Sequence, residues 1–140
     1  MAIDLDREVA QSTTRTALLA HSIPDGYSAD SWMDEVEAFA PQAVEYASAL
    51  DIFVESIAFG LEHLERMGAL ASRFGVALRA HVEQFTTMRS VPVALVHGAR
   101  SVDHLSKLHP DDVEPLARSE CATVLLPRGG CSGASPVWRR

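Results

Sequence analysis

The sequence predicts an α/β fold with about five parallel strands alternating with helices. Two observations predict it. Short apolar runs recur along the chain as "RTALLAH" (15–21), "LDIFVES" (50–56), "VALRAH" (76–81), "SVDHL" (101–105) and "ATVLLP" (122–127). Between them lie segments whose apolar residues return every three or four positions, the helical spacing. Four of the runs then end on an ionisable side chain: His21, Glu55, His81 and His104.

Each helix has its punctuation. Ser28, Asp30 and Ser31 offer N-caps for a helix carrying Trp32, Val36 and Phe39 on one face. Pro41 predicts a break, opening a second short helix that reaches Ala47. The next helix spans about 59–74, with a stripe of Leu61, Leu64, Met67, Ala71 and Phe74 ended by Gly75. A third runs from Val91 or Pro92 to His97, with Gly98 as its cap. A fourth begins at Pro110 and reaches about Ser119, shortened or kinked by Pro115. Residues 1–127 form the predicted domain. The tail "RGGCSGASPVWRR" (128–140) lacks periodicity and is not expected to pack.

Composition narrows the function. A length of 140 residues suits one domain, and 47% hydrophobic residues suffice for a core. The formal charge of −7 disfavours nucleic acid and anionic membrane as partners, because phosphates are repelled. The opening "MAIDLDREVA" is acidic and mixed, unlike a secretory leader, and "VPVALV" is too short to span a bilayer. Cys121 and Cys131 have neither disulfide-framework nor zinc-ligand spacing. The expected compartment is the cytoplasm.

The strand-end residues carry the chemistry. Ligands of parallel-sheet folds gather where strands end, so His21, Glu55, His81 and His104 should converge there. Strand parity puts Val76, Leu78, Ala80 and Val82 on one face, and His81 with Glu83 on the other. Glu55 and Glu83 are thus expected on the rim of a site, although Glu55 could equally cap the following helix. Taken singly, each histidine is more simply a loop residue bonded to backbone. His63 falls off the apolar stripe and is expected in solvent. His97 suits a helix C-terminus, and His109 sits beside an N-cap. No phosphate-binding loop and no serine nucleophile elbow occurs.

The stretches "TALLAHSIPDGY" (16–27), "LDIFVESIAFGLEHLERM" (50–67), "GVALRAHVEQF" (75–85), "GARSVDHLSKL" (98–108) and "CATVLLP" (121–127) resemble imidazolonepropionase, of the amidohydrolase superfamily. The most specific parts are "AHVEQF" and "SVDHL". The resemblance implies an incomplete TIM barrel, cut to its third to seventh strands. It implies hydrolysis of a cyclic amide C–N bond: 4-imidazolone-5-propanoate plus water gives N-formimidoyl-L-glutamate, a step of histidine degradation, assisted by Zn or Fe. By this resemblance His81 is a metal ligand, His21 and Gln84 bind substrate, and His104 is catalytic at the attacked carbonyl. Arg89 and Ser90 stand where the family usually has a glycine pair. The family's first-strand His-x-His pair and last-strand Asp have no counterpart in these 140 residues. The chain alone is therefore expected to bind metal weakly and to turn over little substrate.

A different class of function also fits: a non-catalytic barrel fragment acting as a binding or assembly module. Its open strand edges near Ala17 and Val124 would pair with another copy or a complementing chain. A small flavodoxin-like domain is a third reading, without a flavin or phosphate cue.

Overall fold

The computed structural model describes residues 13–126. The elements alternate in chain order: β1 (Thr16–Ala20), α1 (Ala29–Ala43), β2 (Ala49–Val54), α2 (Leu61–Phe74), β3 (Ala77–Val82), α3 (Ser90–Val96), β4 (Ser101–His104), α4 (Pro110–Arg118) and β5 (Ala122–Val124). The sheet has five strands in the order β1-β2-β3-β4-β5, all parallel. Consecutive parallel neighbours joined through helices are the repeating unit of a barrel wall, with the helices on one side. The molecule is a partial barrel of α/β class. The expected tail (128–140) lies outside the described residues.

The two faces of the sheet differ. Leu50, Ile52 and Val54 alternate along β2 and are paired in register with Leu78, Ala80 and Val82 on β3. All are buried, as is Val102 on β4. They meet Met33, Val36 and Ala40 of α1, and Leu64, Met67 and Ala71 of α2, in one cluster. Continuous burial of these side chains drives the fold, since each Val, Leu, Ile or Met among them contributes about 1.5–3 kcal/mol when removed from water. The other face presents Thr16, Asp51, Arg79, His81, Ser101 and Asp103 around a groove of ≈ 520 Å³. That is the inner face of the barrel wall.

Capping follows the sequence closely. Ser28 caps α1, its Oγ accepting from Ser31 N at 3.1 Å while Ser31 Oγ accepts from Ser28 N at 2.9 Å. Gly75 closes α2 at φ 65°, a left-handed conformation that suits glycine. Two details differ from expectation. The helix does not break at Pro41, which lies two positions before the end of α1. One missing N–H so near a terminus interrupts little, and buried Ala40 keeps that turn on the sheet. Phe39 is 49% exposed rather than part of the apolar face, because Met33, Val36 and Ala40 already fill the contact with the sheet. α4 continues through Pro115 but is only 9 residues long.

Among the described residues, no helix is long and apolar enough to cross a membrane.

Candidate active site

Three of the four strand-end residues converge. His21 follows β1, His81 is the fifth residue of β3, and His104 ends β4. The ring centroids of His21 and His81 are 4.7 Å apart, and those of His81 and His104 are 5.2 Å apart. At their centre is a residue that strand-end reasoning missed: Asp51, on the inner face of β2. Its Oδ1 lies 2.6 Å from His21 Nε2, and its Oδ2 lies 3.5 Å from His81 Nε2. The signal was present in the sequence, as one carboxylate inside the otherwise apolar run "LDIFV". A charged residue there is costly unless paired. Asp103 stands behind, with Oδ2 3.9 Å from His81 Nε2.

The electrostatics are ordered. Burial works to raise the Asp51 pKa, but hydrogen bonds from His21 and His81, with their charges, hold it below the usual carboxylate value. Asp51 in turn raises the His81 pKa, chiefly through that hydrogen bond and against the effect of burial. Burial, followed by the charge of His81, lowers the His104 pKa. His81 therefore takes up a proton before His104 does. Protonated His81 donates from Nδ1 to His104 Nε2 at 3.1 Å and turns Nε2–H to Asp51, whereas a neutral ring with its proton on Nδ1 leaves Nε2 free for an ion.

Ligand atoms of His21, Asp51 and His81 all lie within 4.8 Å of one another. Two nitrogens and a carboxylate oxygen form a donor set suited to Zn or Fe. Tetrahedral zinc with bonds of 2.0–2.1 Å separates its ligand atoms by about 3.4 Å. The His81–Asp51 spacing already meets this. The His21–Asp51 pair, at 2.6 Å through the other carboxylate oxygen, would open by about 0.8 Å. The hydrogen bond from His81 Nδ1 to His104 is the kind of second contact that fixes a ligating imidazole. The residues present fit a divalent ion.

Glu55 and Glu83 are not on the rim. Both are buried, at 1% and 0% exposure. Glu55 accepts from Ser56 N at 2.8 Å, from Phe85 N at 2.8 Å, from Thr86 N at 3.2 Å and from the Thr86 hydroxyl. Burial opposes its ionisation, but these donors outweigh that and hold its pKa low. Glu83 accepts from Met88 N at 2.9 Å, Ser90 N at 2.8 Å and Ser90 Oγ at 2.7 Å. Strand parity failed for Glu83 because its φ is +53°, which ends the pleat and turns the side chain inward. Gln84, next to Glu83, is half-buried, and its side chain makes no hydrogen bond among the described residues.

The site side of the sheet holds unusual backbone. Glu83, Arg89, His104 and Leu105 have φ values of 53°, 60°, 75° and 57°, the positive-φ non-glycine residues among those described. Each costs of order 1–3 kcal/mol, and such residues cluster where surrounding contacts impose them for function. Arg89, where the family usually has glycine, is held by its Nη2 bond to buried Asp112 at 2.8 Å. Ser90, the other glycine-pair position, is fully buried and serves Glu83.

The remaining histidines are structural. His63 is buried at 4% exposure, not in solvent. Its Nδ1 accepts from Gly60 N at 3.1 Å, and its Nε2 is 3.2 Å from Asp30 Oδ1, tying the start of α2 to α1. His97 caps α3 against Gly68, where a Cβ would come within 2.4 Å of the ring. His109 caps α4, its Nδ1 accepting from Asp111 N at 3.3 Å.

Comparison with known proteins agrees with this geometry. No protein-family model matches the chain. An imidazolonepropionase from Alteromonas mediterranea is 35% identical over 132 residues, covering 91% of this chain and 32% of that protein. Imidazolonepropionases from Shewanella putrefaciens (38% over 117 residues) and Rubrobacter xylanophilus (39% over 114 residues) each cover 80% of the chain and less than a third of themselves. The chain thus spans about a third of the length of the curated relatives it matches. Among solved structures, an amidohydrolase superposes with TM-score 0.56 at 14% identity over 79% of the chain, 35% of that structure. A Xaa-Pro dipeptidase also superposes with TM-score 0.56, at 15% identity over 76% of this chain and 33% of that structure. These likenesses establish the fold. By sequence the chain is a relative of the imidazolonepropionases over about a third of their length, and its fold is part of an α/β barrel.

Proposed function

We propose that the groove is part of a metal-dependent hydrolytic site for a cyclic amide, with 4-imidazolone-5-propanoate as substrate and N-formimidoyl-L-glutamate as product. The observation that carries the reading is the convergence of His21, His81 and His104 from strand ends on Asp51 inside β2, in a chain related to imidazolonepropionases. His81 and Asp51 would hold the ion, with His21 as third donor, also walling the groove where the resemblance has it meet substrate. A Zn or Fe ion supplies Lewis acidity there, lowering the pKa of bound water and polarising the ring carbonyl. His104, whose pKa burial lowers, is suited to donate to charge developing on the carbonyl oxygen. Gln84, with both amide groups free, is suited to the polar edge of the substrate. Such chemistry on a small metabolite fits a cytoplasmic protein of histidine degradation.

The proposal includes low turnover by the 140-residue chain itself, because three donors replace the four of the family pattern. Loss of imidazolonepropanoate absorbance with purified protein and added Zn²⁺ tests it. The expected signal is at most slightly above that of His81→Ala. No difference in metal binding between the two proteins would overturn the site assignment.

A second reading, assembly through the sheet edges, is favoured by exposed apolar residues on the edge strands: Leu18 on β1 and Val124 on β5. Self-association at micromolar concentration in size-exclusion chromatography supports it, and a monomer sinks it.

A further inference from the structure

The two buried glutamates that sequence reasoning placed on the rim share one task. Glu55 comes from the end of β2 and Glu83 from the end of β3, yet both turn to the same loop, residues 84–89. Glu55 takes the loop's early donors: Phe85 N, Thr86 N and the Thr86 hydroxyl. Glu83 takes its exit: Met88 N, Ser90 N and Ser90 Oγ. The next loop closes over the far side. Lys107 N donates to Glu83 O at 2.7 Å, and Thr87 Oγ1 donates to Lys107 O at 2.8 Å. Carboxylate acceptors make the stronger hydrogen bonds, and burial removes water as a competitor. Gln84, three positions after His81, stands just ahead of both grips, flanked by Glu83 and Phe85. Its side chain has no internal partner, so its position is set by the backbone on either side.

We propose that Glu55 and Glu83 are positioning residues that fix the Gln84 loop and thereby aim Gln84 at the substrate; this rests on the reading above that Gln84 contacts substrate. Glu55 acts across strands: a β2 side chain sets the position of a β3 loop. Neither carboxylate touches the histidine cluster, so their effect on ligand binding runs through Gln84.

The test uses the 140-residue chain with imidazole-4-propanoate as probe. Amide hydrogen exchange is read for Phe85, Thr86 and Met88 in wild type, Glu55→Gln and the milder Thr86→Val. Probe affinity is read by calorimetry for Glu55→Gln, Gln84→Ala and the double variant. Glu55→Gln is expected to raise exchange at Phe85 and Thr86 by about tenfold or more while β2 and β3 amides stay protected. Thr86→Val is expected to raise it less. The affinity losses are expected to be non-additive, the double variant binding about as well as Gln84→Ala alone. Unchanged loop exchange in both Glu55→Gln and Thr86→Val overturns the proposal, as do additive losses. Loosened exchange with no affinity change in Gln84→Ala overturns the substrate role of Gln84, and with it the aiming function, while the loop anchoring stands.

Discussion

The two faces of the one sheet obey different rules. The helix-covered face is a row of apolar side chains with no water contact, from Leu50, Ile52 and Val54 to Leu78, Ala80, Val82 and Val102. The inner face alternates with it residue by residue and carries Asp51, Arg79, His81 and Asp103. Stability is concentrated on one side and chemistry on the other, so substitutions one position apart should have opposite signatures.

The largest expected contrast follows directly. Ile52→Ala should cost about 2–5 kcal/mol, the range for deleting a buried large aliphatic chain. Leu18→Ala, on exposed β1 surface of the inner face, should change stability by less than about 0.5 kcal/mol. Urea titration of both variants checks the difference. Similar values would mean that the inner face is covered in solution.

Next in size is the helix layer itself. Gly68→Ala should cost about 1–3 kcal/mol, because the added Cβ meets the His97 ring at 2.4 Å and packed helices yield little. Thermal unfolding reads it, and a Gly68→Ala/His97→Ala double variant should recover part of the loss.

Acid should loosen the boundary between the faces. The folded-state pKa of Glu55 lies below its ordinary value. Its contribution is therefore complete above the ordinary glutamate value and is lost as pH falls through the lowered one. The stability gap between wild type and Glu55→Gln should be full near about pH 7 and shrink toward about pH 3. Urea titrations at the two pH values measure it, and a gap that widens in acid contradicts the assignment. The smallest effect belongs to the exposed Glu114–Arg118 pair on α4. Removing Glu114 should cost no more than about 0.5 kcal/mol, and less in salt.

The same division explains what the sequence reveals and what it hides. The strands were legible because burial on the helix side leaves unbroken apolar runs, and the caps because Ser28 and Gly75 have few other uses. His21, His81 and His104 were legible as polar endings of such runs. Asp51 was not found by looking at strand ends, since it sits three residues before the end of β2. Glu55 and Glu83 were visible as ionisable groups, but their direction was not. A positive φ at Glu83 breaks the alternation on which face assignment depends. His63 was misplaced because amphipathic patterning treats histidine as polar, whereas here both ring nitrogens have partners, Gly60 N and the exposed Asp30 carboxylate.

The central claim is that the inner face gathers donors for one divalent ion around His81. Equilibrium dialysis of the purified chain against Zn²⁺, with Asp51→Asn and His81→Ala beside it, tests this most directly. The account predicts one ion per chain at saturation, with affinity reduced about tenfold or more by either substitution. Equal zinc uptake by all three proteins would contradict it.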